Sequence, residues 1–219
     1  MLTKNDETIA QAHSVFRSVR SSMLTYVGFK DVGLPFEELR ALTADIHASG
    51  KHAVLEVVSV EPAAELRSAA AAVDLGVDFL FGGRQAEAVA HLLAGTGIKY
   101  FPFAGKTVGH PTALIGTIDE IVEDARRLAQ IDGVHGLDLL AYRYSGDAIA
   151  LADAVVRAVD VPIVAAGSIS DQTRLERISD CGIWGFTVGS AIFERQFIDD
   201  VSTQVERILR LSARANRVQ

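Results

Sequence analysis

A single cysteine, Cys181, leaves no partner for an internal disulfide and fits a chain that works in a reducing, cytoplasmic setting. In Ser179-Asp180-Cys181-Gly182, at an expected helix end, it reads as a small packed residue rather than a nucleophile. Basic residues are also short: 21 Lys and Arg against 28 Asp and Glu give a formal charge of −7. That balance argues against nucleic acid or an anionic membrane as partner. No apolar run approaches a membrane span, and the opening Met1-Leu2-Thr3-Lys4-Asn5-Asp6-Glu7 lacks the basic and apolar regions of a signal peptide. His13, His47, His52, His91, His110 and His135 show no metal-ligand spacing, and no Gly-x-Gly-x-x-Gly follows the first strand. Zinc and dinucleotide sites are therefore not expected. Asp31 and Glu56, near strand ends, offer a carboxylate pair for a magnesium ion with waters; beyond that, no cofactor is expected.

What is abundant is apolar sequence, 49% of 219 residues, enough to bury a full core in one domain spanning 1–219. It comes as short apolar runs alternating with amphipathic ones. Strands are expected at Leu24–Lys30, Ala53–Ser59, Asp78–Gly82, Lys99–Ala104, Leu137–Arg143, Pro162–Ala166 and Gly185–Gly189. Between them lie helices at Glu37–Ala48, Ala63–Leu75, Gln85–Ala94, Ile118–Gln130, Asp147–Val159 and Gln172–Ser179, with another closing the chain from about Ile198 to Arg214. The strands are apolar throughout rather than alternating, as in a parallel sheet covered on both faces. Repeated βα units of this kind build an α/β fold with right-handed crossovers. The expected architecture is a parallel (β/α)8 TIM barrel whose first strand is very short or incomplete. An amphipathic helix through Ile9, Ala12, Val15, Phe16 and Val19, capped by Asn5 or Asp6, leaves only Met1–Lys4 for that strand. An open sheet of seven strands is the competing architecture.

Two glycine–serine segments weigh toward the barrel: Val164-Ala165-Ala166-Gly167-Ser168-Ile169-Ser170 and Phe186-Thr187-Val188-Gly189-Ser190-Ala191-Ile192. Each is an apolar run ending in Gly-Ser before a helical stretch. Glycine admits a close backbone approach, and N–H groups at a helix start attract anions. On the last two barrel strands, Gly167, Ser168, Gly189 and Ser190 are placed to hold a phosphate group. Charges that interrupt apolar strands supply candidate chemistry. Lys30 ends Tyr26-Val27-Gly28-Phe29-Lys30, and Glu56 sits inside Val54-Leu55-Glu56-Val57-Val58 on the next strand. If both point inward they form an ion pair or a proton-transfer couple. Arg143 ends Leu137-Asp138-Leu139-Leu140-Ala141-Tyr142-Arg143, and its planar fork suits a carboxylate, a phosphate or an enolate oxygen. Lys106 and His110 lie on an irregular stretch, Gly105–Thr117, expected as a loop that closes over a substrate.

From Leu24 onward the chain resembles the ribulose-phosphate-binding barrel superfamily. The segment Pro162 to Phe193 resembles its phosphate-binding end, and the order of motifs is most similar to N-acetylmannosamine-6-phosphate 2-epimerases. Tyr26-Val27-Gly28-Phe29-Lys30 resembles the second strand of that family, where a cation contacts substrate. The departures are specific. The epimerase family's third-strand lysine is replaced by Val57 or Val58, and its acidic residue before the strand-seven glycine is Ala166. Glu56 matches the carboxylate of the decarboxylases' Asp-x-Lys, but Val58 takes the lysine position. Arg143 stands where keto-deoxy-phosphogluconate aldolases use a strand-six lysine.

The resulting expectation is an enzyme on a small phosphorylated sugar or keto-acid, working by proton abstraction next to a carbonyl: an epimerase or isomerase, or an aldolase-type lyase with a Schiff base on Lys30. The rival is a barrel that binds a phosphorylated metabolite without catalysis, as a sensor or an assembly subunit. A homo-oligomer is compatible with either.

Overall fold

A computed structural model describes residues 1–57, 59, 61–109, 112–197 and 200–215. Four of the helix starts among the described residues are capped by side chains. Glu61 accepts from the N–H groups of Ala63 and Ala64 ahead of α3 (Pro62–Leu75), where Pro62 fills the first turn at no hydrogen-bond cost. Thr117 and Glu120 form a reciprocal capping box on α5 (Ile118–Ala129). Asp147 caps α6 (Ala148–Ala158) and Asp171 caps α7 (Gln172–Ser179). The remaining helices are α1 (Ala12–Val19), α2 (Phe36–Ala48), α4 (Ala86–Leu93), a short α8 (Ser190–Phe193) and α9 (Val201–Ala215).

The strands form two parallel blocks. β3 (Tyr26–Lys30), β4 (His52–Glu56), β5 (Phe79–Phe81) and β6 (Lys99–Phe101) pair in sequence order, and β9 (Leu137–Leu139), β10 (Ile163–Ala165) and β11 (Gly185–Phe186) form the second block. Single parallel bridges, Tyr100 to Val134 and Phe103 to Asp138, join β6 to β9. On the other side residues 1–2 stand in the place of the first strand without forming a regular one, because Thr3–Lys4 turns into an antiparallel pairing with Glu7–Thr8. Met1 N donates to Val188 O at 2.9 Å and Leu2 N donates to Gly28 O at 2.6 Å, so residues 1–2 bridge β11 to β3. The chain thereby closes as a parallel barrel with an incomplete first strand. No helix among the described residues is long and apolar enough to cross a membrane.

Three local expectations are corrected. Asn5 and Asp6 do not cap α1; they form the turn of a hairpin between β1 (Thr3–Lys4) and β2 (Glu7–Thr8), with φ of 52° and 63°. Asn and Asp tolerate that left-handed backbone better than other side chains, which is why a two-residue reversal is available here. The stretch Gly105–Thr117 is not wholly irregular, since β7 (Lys106–Val108) and β8 (Ala113–Ile115) pair as an antiparallel hairpin. The sixth barrel strand stops at Leu139, and Arg143 sits on a 3-10 turn (Ala141–Arg143) beyond it.

Two apolar regions hold the barrel. One lies between sheet and helices, with Phe16, Leu42, Leu55, Leu80, Ile121 and Leu137 among its fully buried members. The other, inside the barrel, consists of Val54, Phe81, Phe101 and Val164, with Phe79 against it. Cys181 packs after α7, where its thiol donates to Arg177 O and burial pushes its pKa up to about 12, so it stays a thiol.

Candidate active site

At the C-terminal ends of the strands lies a cavity of 290 Å³. Lys30, Glu56, Arg143, Gly167, Ser168, Gly189 and Ser190 all line it. The structure thus assembles seven of the nine predicted site residues around one space. Lys106 is elsewhere, lining a separate cavity with Glu120 and Asp124, so the expected loop contact from Lys106 is not formed here. His110 lies outside the described residues. The magnesium pair is not assembled either. Asp31 Oδ2 accepts from the Ser68 hydroxyl, whereas Glu56 turns to Lys30.

Lys30 is placed by backbone and hairpin together. In register, Lys30 stands beside Glu56 on adjacent parallel strands, so both side chains leave the sheet on the inner face. The Thr8 hydroxyl donates to Lys30 O and accepts from Lys30 N, both at 2.8 Å, tying the strand end to β2. The ammonium then contacts Glu56 Oε1 at 3.1 Å and Asp6 Oδ1 at 2.8 Å. Burial pulls the Lys30 pKa down, but the Glu56 charge and the hydrogen bond and charge of Asp6 outweigh it and hold it above the ordinary lysine value. Lys30 is therefore a fixed cation. Asp6 Oδ1 also lies 3.5 Å from Arg143 Nη2. Burial raises the Asp6 pKa, and Lys30 with Arg143 more than reverse that, so it is a carboxylate.

Gly167 is required by Arg143. A Cβ at 167 would lie 2.7 Å from Arg143 Nε, and φ is +73°. Ser168, next in line, holds φ of 57°, an unfavourable conformation for serine of the kind found at ligand-binding turns. On the other turn, Gly189 accommodates Thr3, whose Oγ1 would be 2.8 Å from an added Cβ, and Ser190 Oγ accepts from Asn5 N at 3.2 Å. Among the described residues, none of the N–H groups of Gly167, Ser168, Gly189 and Ser190 donates to a protein acceptor. Four unused donors thus border one cavity.

Two residues of this site, and one buried close to its charges, escape the sequence reading. Asp6 is hidden by its reading as a helix cap. Arg174, on α7, lines the cavity and donates from Nη1 to Ser168 O at 2.7 Å, adding a cation beside the Gly-Ser turns. Asp138 is a missed signal, a lone acid within Leu137-Asp138-Leu139-Leu140. It is fully buried, and it pairs in register with Val164, so it shares the inner face. Neither of its carboxyl oxygens has a partner among the described residues. Burial first, then the Glu56 charge, pushes its pKa well above the carboxylate range, against the opposing pull of Lys30 and Arg143.

No protein-family model and no curated protein matches the sequence. Solved structures do match in fold. The chain is similar to native KDPGal (TM-score 0.69, 14% identity, covering 97% of this chain and 93% of that one). It is also similar to the BexX/CysO complex of Amycolatopsis orientalis (0.61, 13%, 92% and 82%). A mandelate oxidase variant with a monooxide FMN adduct matches as well (0.62, 17%, 94% and 67%). At these identities the likeness shows the barrel fold.

The mandelate oxidase neighbour overturns one expectation, that of a site without a cofactor, because a barrel of this shape carries FMN. The residues here suit only part of such a group. The four free N–H donors and Arg174 fit its phosphate. The 290 Å³ cavity lies below the roughly 300–1,000 Å³ of pockets that enclose drug-sized ligands, and the Asp6, Lys30 and Arg143 side chains that line it are already paired with one another.

Proposed function

We propose that this barrel is an enzyme acting on a small phosphorylated sugar or keto-acid, and that it moves a proton at the carbon next to a carbonyl. The single observation carrying this reading is that the two Gly-Ser turns and the Lys30–Glu56–Arg143 group border the same cavity. The resemblance of those turns to the ribulose-phosphate-binding superfamily supports a phosphate as the anchoring group.

In this reading Gly167, Ser168, Gly189 and Ser190 donate main-chain N–H groups to the phosphate, with Arg174 at its edge. Glu56 takes the proton from carbon. Negative charge then develops on the carbonyl oxygen, where the Lys30 ammonium and the Arg143 guanidinium stabilise it. Return of the proton to the opposite face or to the neighbouring carbon gives epimerisation or isomerisation. In the lyase version Glu56 instead takes the proton of a hydroxyl one carbon further on, the carbon–carbon bond breaks to release an aldehyde, and its electron pair becomes the same enolate, which then takes up the proton at carbon. Lys30, held charged by two carboxylates, favours proton transfer over a Schiff base, which needs a neutral amine.

Deuterium exchange tests the reading. The protein is incubated in D2O with a panel of phosphorylated ketoses, aldoses and 2-keto acids, and label next to the carbonyl is followed by NMR. Exchange into at least one member, at a rate saturating with substrate, is the expected result. Saturable binding of phosphorylated compounds with no exchange anywhere in the panel supports the non-catalytic barrel instead.

A further inference from the structure

The cations of the ionic cavity are already occupied from within the chain. Asp6 Oδ1 stands 2.8 Å from Lys30 Nζ and 3.5 Å from Arg143 Nη2, so two cations share one carboxylate oxygen. That oxygen marks the place where the pair holds negative charge. Asp6 comes from the two-residue tip of the β1–β2 hairpin, and both tip residues carry left-handed φ, 52° at Asn5 and 63° at Asp6. The base of the hairpin is fixed, with Thr3 and Thr8 buried and the Thr8 hydroxyl bound to both backbone groups of Lys30. The tip meets the barrel through side-chain contacts, Asn5 N to Ser190 Oγ and Asp6 to the two cations. Asp6 also borders a second cavity, of 390 Å³, together with Thr112 and Tyr142. Its carboxylate thus has room to turn away from Lys30 while the base of the hairpin stays in place.

Charge decides what replaces it. Lys30 and Arg143 face Asp6 and Glu56, two cations against two carboxylates. A neutral carbonyl in the place of Asp6 leaves a cation unmatched in a largely buried network, whereas a carboxylate restores the balance. An ammonium has three donors and a guanidinium five, so the pair can hold a carboxylate and still donate to a carbonyl oxygen beside it.

We infer that the Lys30–Arg143 pair is a carboxylate subsite, filled by Asp6 in the free protein and by a carboxylate of the substrate once Asp6 is displaced. The inference rests on the reading of this cavity as a phosphate-anchored substrate site and narrows it to phosphorylated acids; it needs no proton transfer. Asp6 is then a built-in competitor that selects against phosphorylated sugars without an acid group.

Two probes of one skeleton test it: 3-phosphoglycerate, which has the carboxylate, and glycerol 3-phosphate, which has a hydroxymethyl group instead. Binding to the full chain is measured by calorimetry at neutral pH and constant ionic strength. Wild type should bind 3-phosphoglycerate more tightly than glycerol 3-phosphate. Asp6→Asn keeps a residue that tolerates the left-handed turn and removes the competitor, so the preference should widen by about tenfold with circular dichroism unchanged. Arg143→Gln should abolish it. Equal affinities in wild type, the same preference in wild type and folded Asp6→Asn, or a preference that persists in Arg143→Gln each overturn the subsite and leave the phosphate anchor standing. Failure of both probes to bind overturns anchor and subsite together.

Discussion

The two ends of this barrel are built by the same strands and have opposite chemistry. At the N-terminal end, Tyr26, His52, Phe79 and Trp184 meet ring to ring, Tyr26 stacking on His52 at 5.5 Å and meeting Trp184 edge-on at 5.4 Å. Four residues further along β3 and β4 stand Lys30 and Glu56, part of a charge network with Asp6 and Arg143. The contrast teaches how a parallel barrel divides labour. The aromatic end is held by ring-to-ring contacts between half-exposed side chains and confines no buried charge network. The other end confines charges that are costly to bury, and each must be matched by an opposite charge or lose its own. Asp138, buried and without a partner, is the case in which burial and the Glu56 charge work against ionisation.

The sharpest way to break the comparison is at the ionic end. Glu56→Gln keeps the shape of the side chain and removes the base, so exchange in D2O should fall by about 10²–10⁴-fold while phosphate binding persists. Retention of wild-type exchange rules out Glu56 as the base. Lys30→Met attacks stability at the same place: Asp6 and Glu56 lose their shared cation, and the variant should be less stable by about 3–5 kcal/mol in denaturant titration. A loss of under 1 kcal/mol would mean that the network is more hydrated than its burial implies.

Asp138 sharpens the contrast through pH. A carboxyl whose folded pKa lies above its unfolded value of about 3.9 binds a proton in the folded state that the unfolded chain releases. Its contribution is complete below that unfolded value and is withdrawn as pH rises toward the folded pKa, at about 1.4 kcal/mol per unit. Asp138→Asn carries no such dependence, so the stability of wild type relative to the variant should fall with rising pH above about pH 4. Parallel stability–pH curves for the two proteins would show Asp138 to be ionised in the fold. The smallest effect is expected at the aromatic end. Trp184→Leu keeps an apolar side chain and removes three ring contacts, costing about 1 kcal/mol by thermal unfolding, with exchange at the mouth unchanged.

Much of this was legible in one dimension. Strand and helix order followed from apolar runs and caps, and the Asp147 and Asp171 helix starts sit where the residue types demand. The neighbourhood of Lys30 and Glu56 followed from two facts: consecutive βα strands lie side by side, and side chains alternate with period two. The same logic set the two Gly-Ser turns on one face. Arg143 was visible as a charge closing an apolar run, though its 3-10 turn was not, because a strand and a short turn share the same apolar composition.

The sequence by itself therefore determined the barrel order, the turns with unused N–H groups and the two charges that must face each other. Tertiary structure alone decided that Asp6, 137 residues from Arg143, closes the charge network from a hairpin. It also placed Lys106 beside a different cavity and left Asp138 without a partner. The physical reason is range. Periodicity, caps and turn preferences are set by neighbours a few residues apart, whereas burial, pairing and empty space depend on which distant segments meet across the barrel, and no local pattern encodes that meeting.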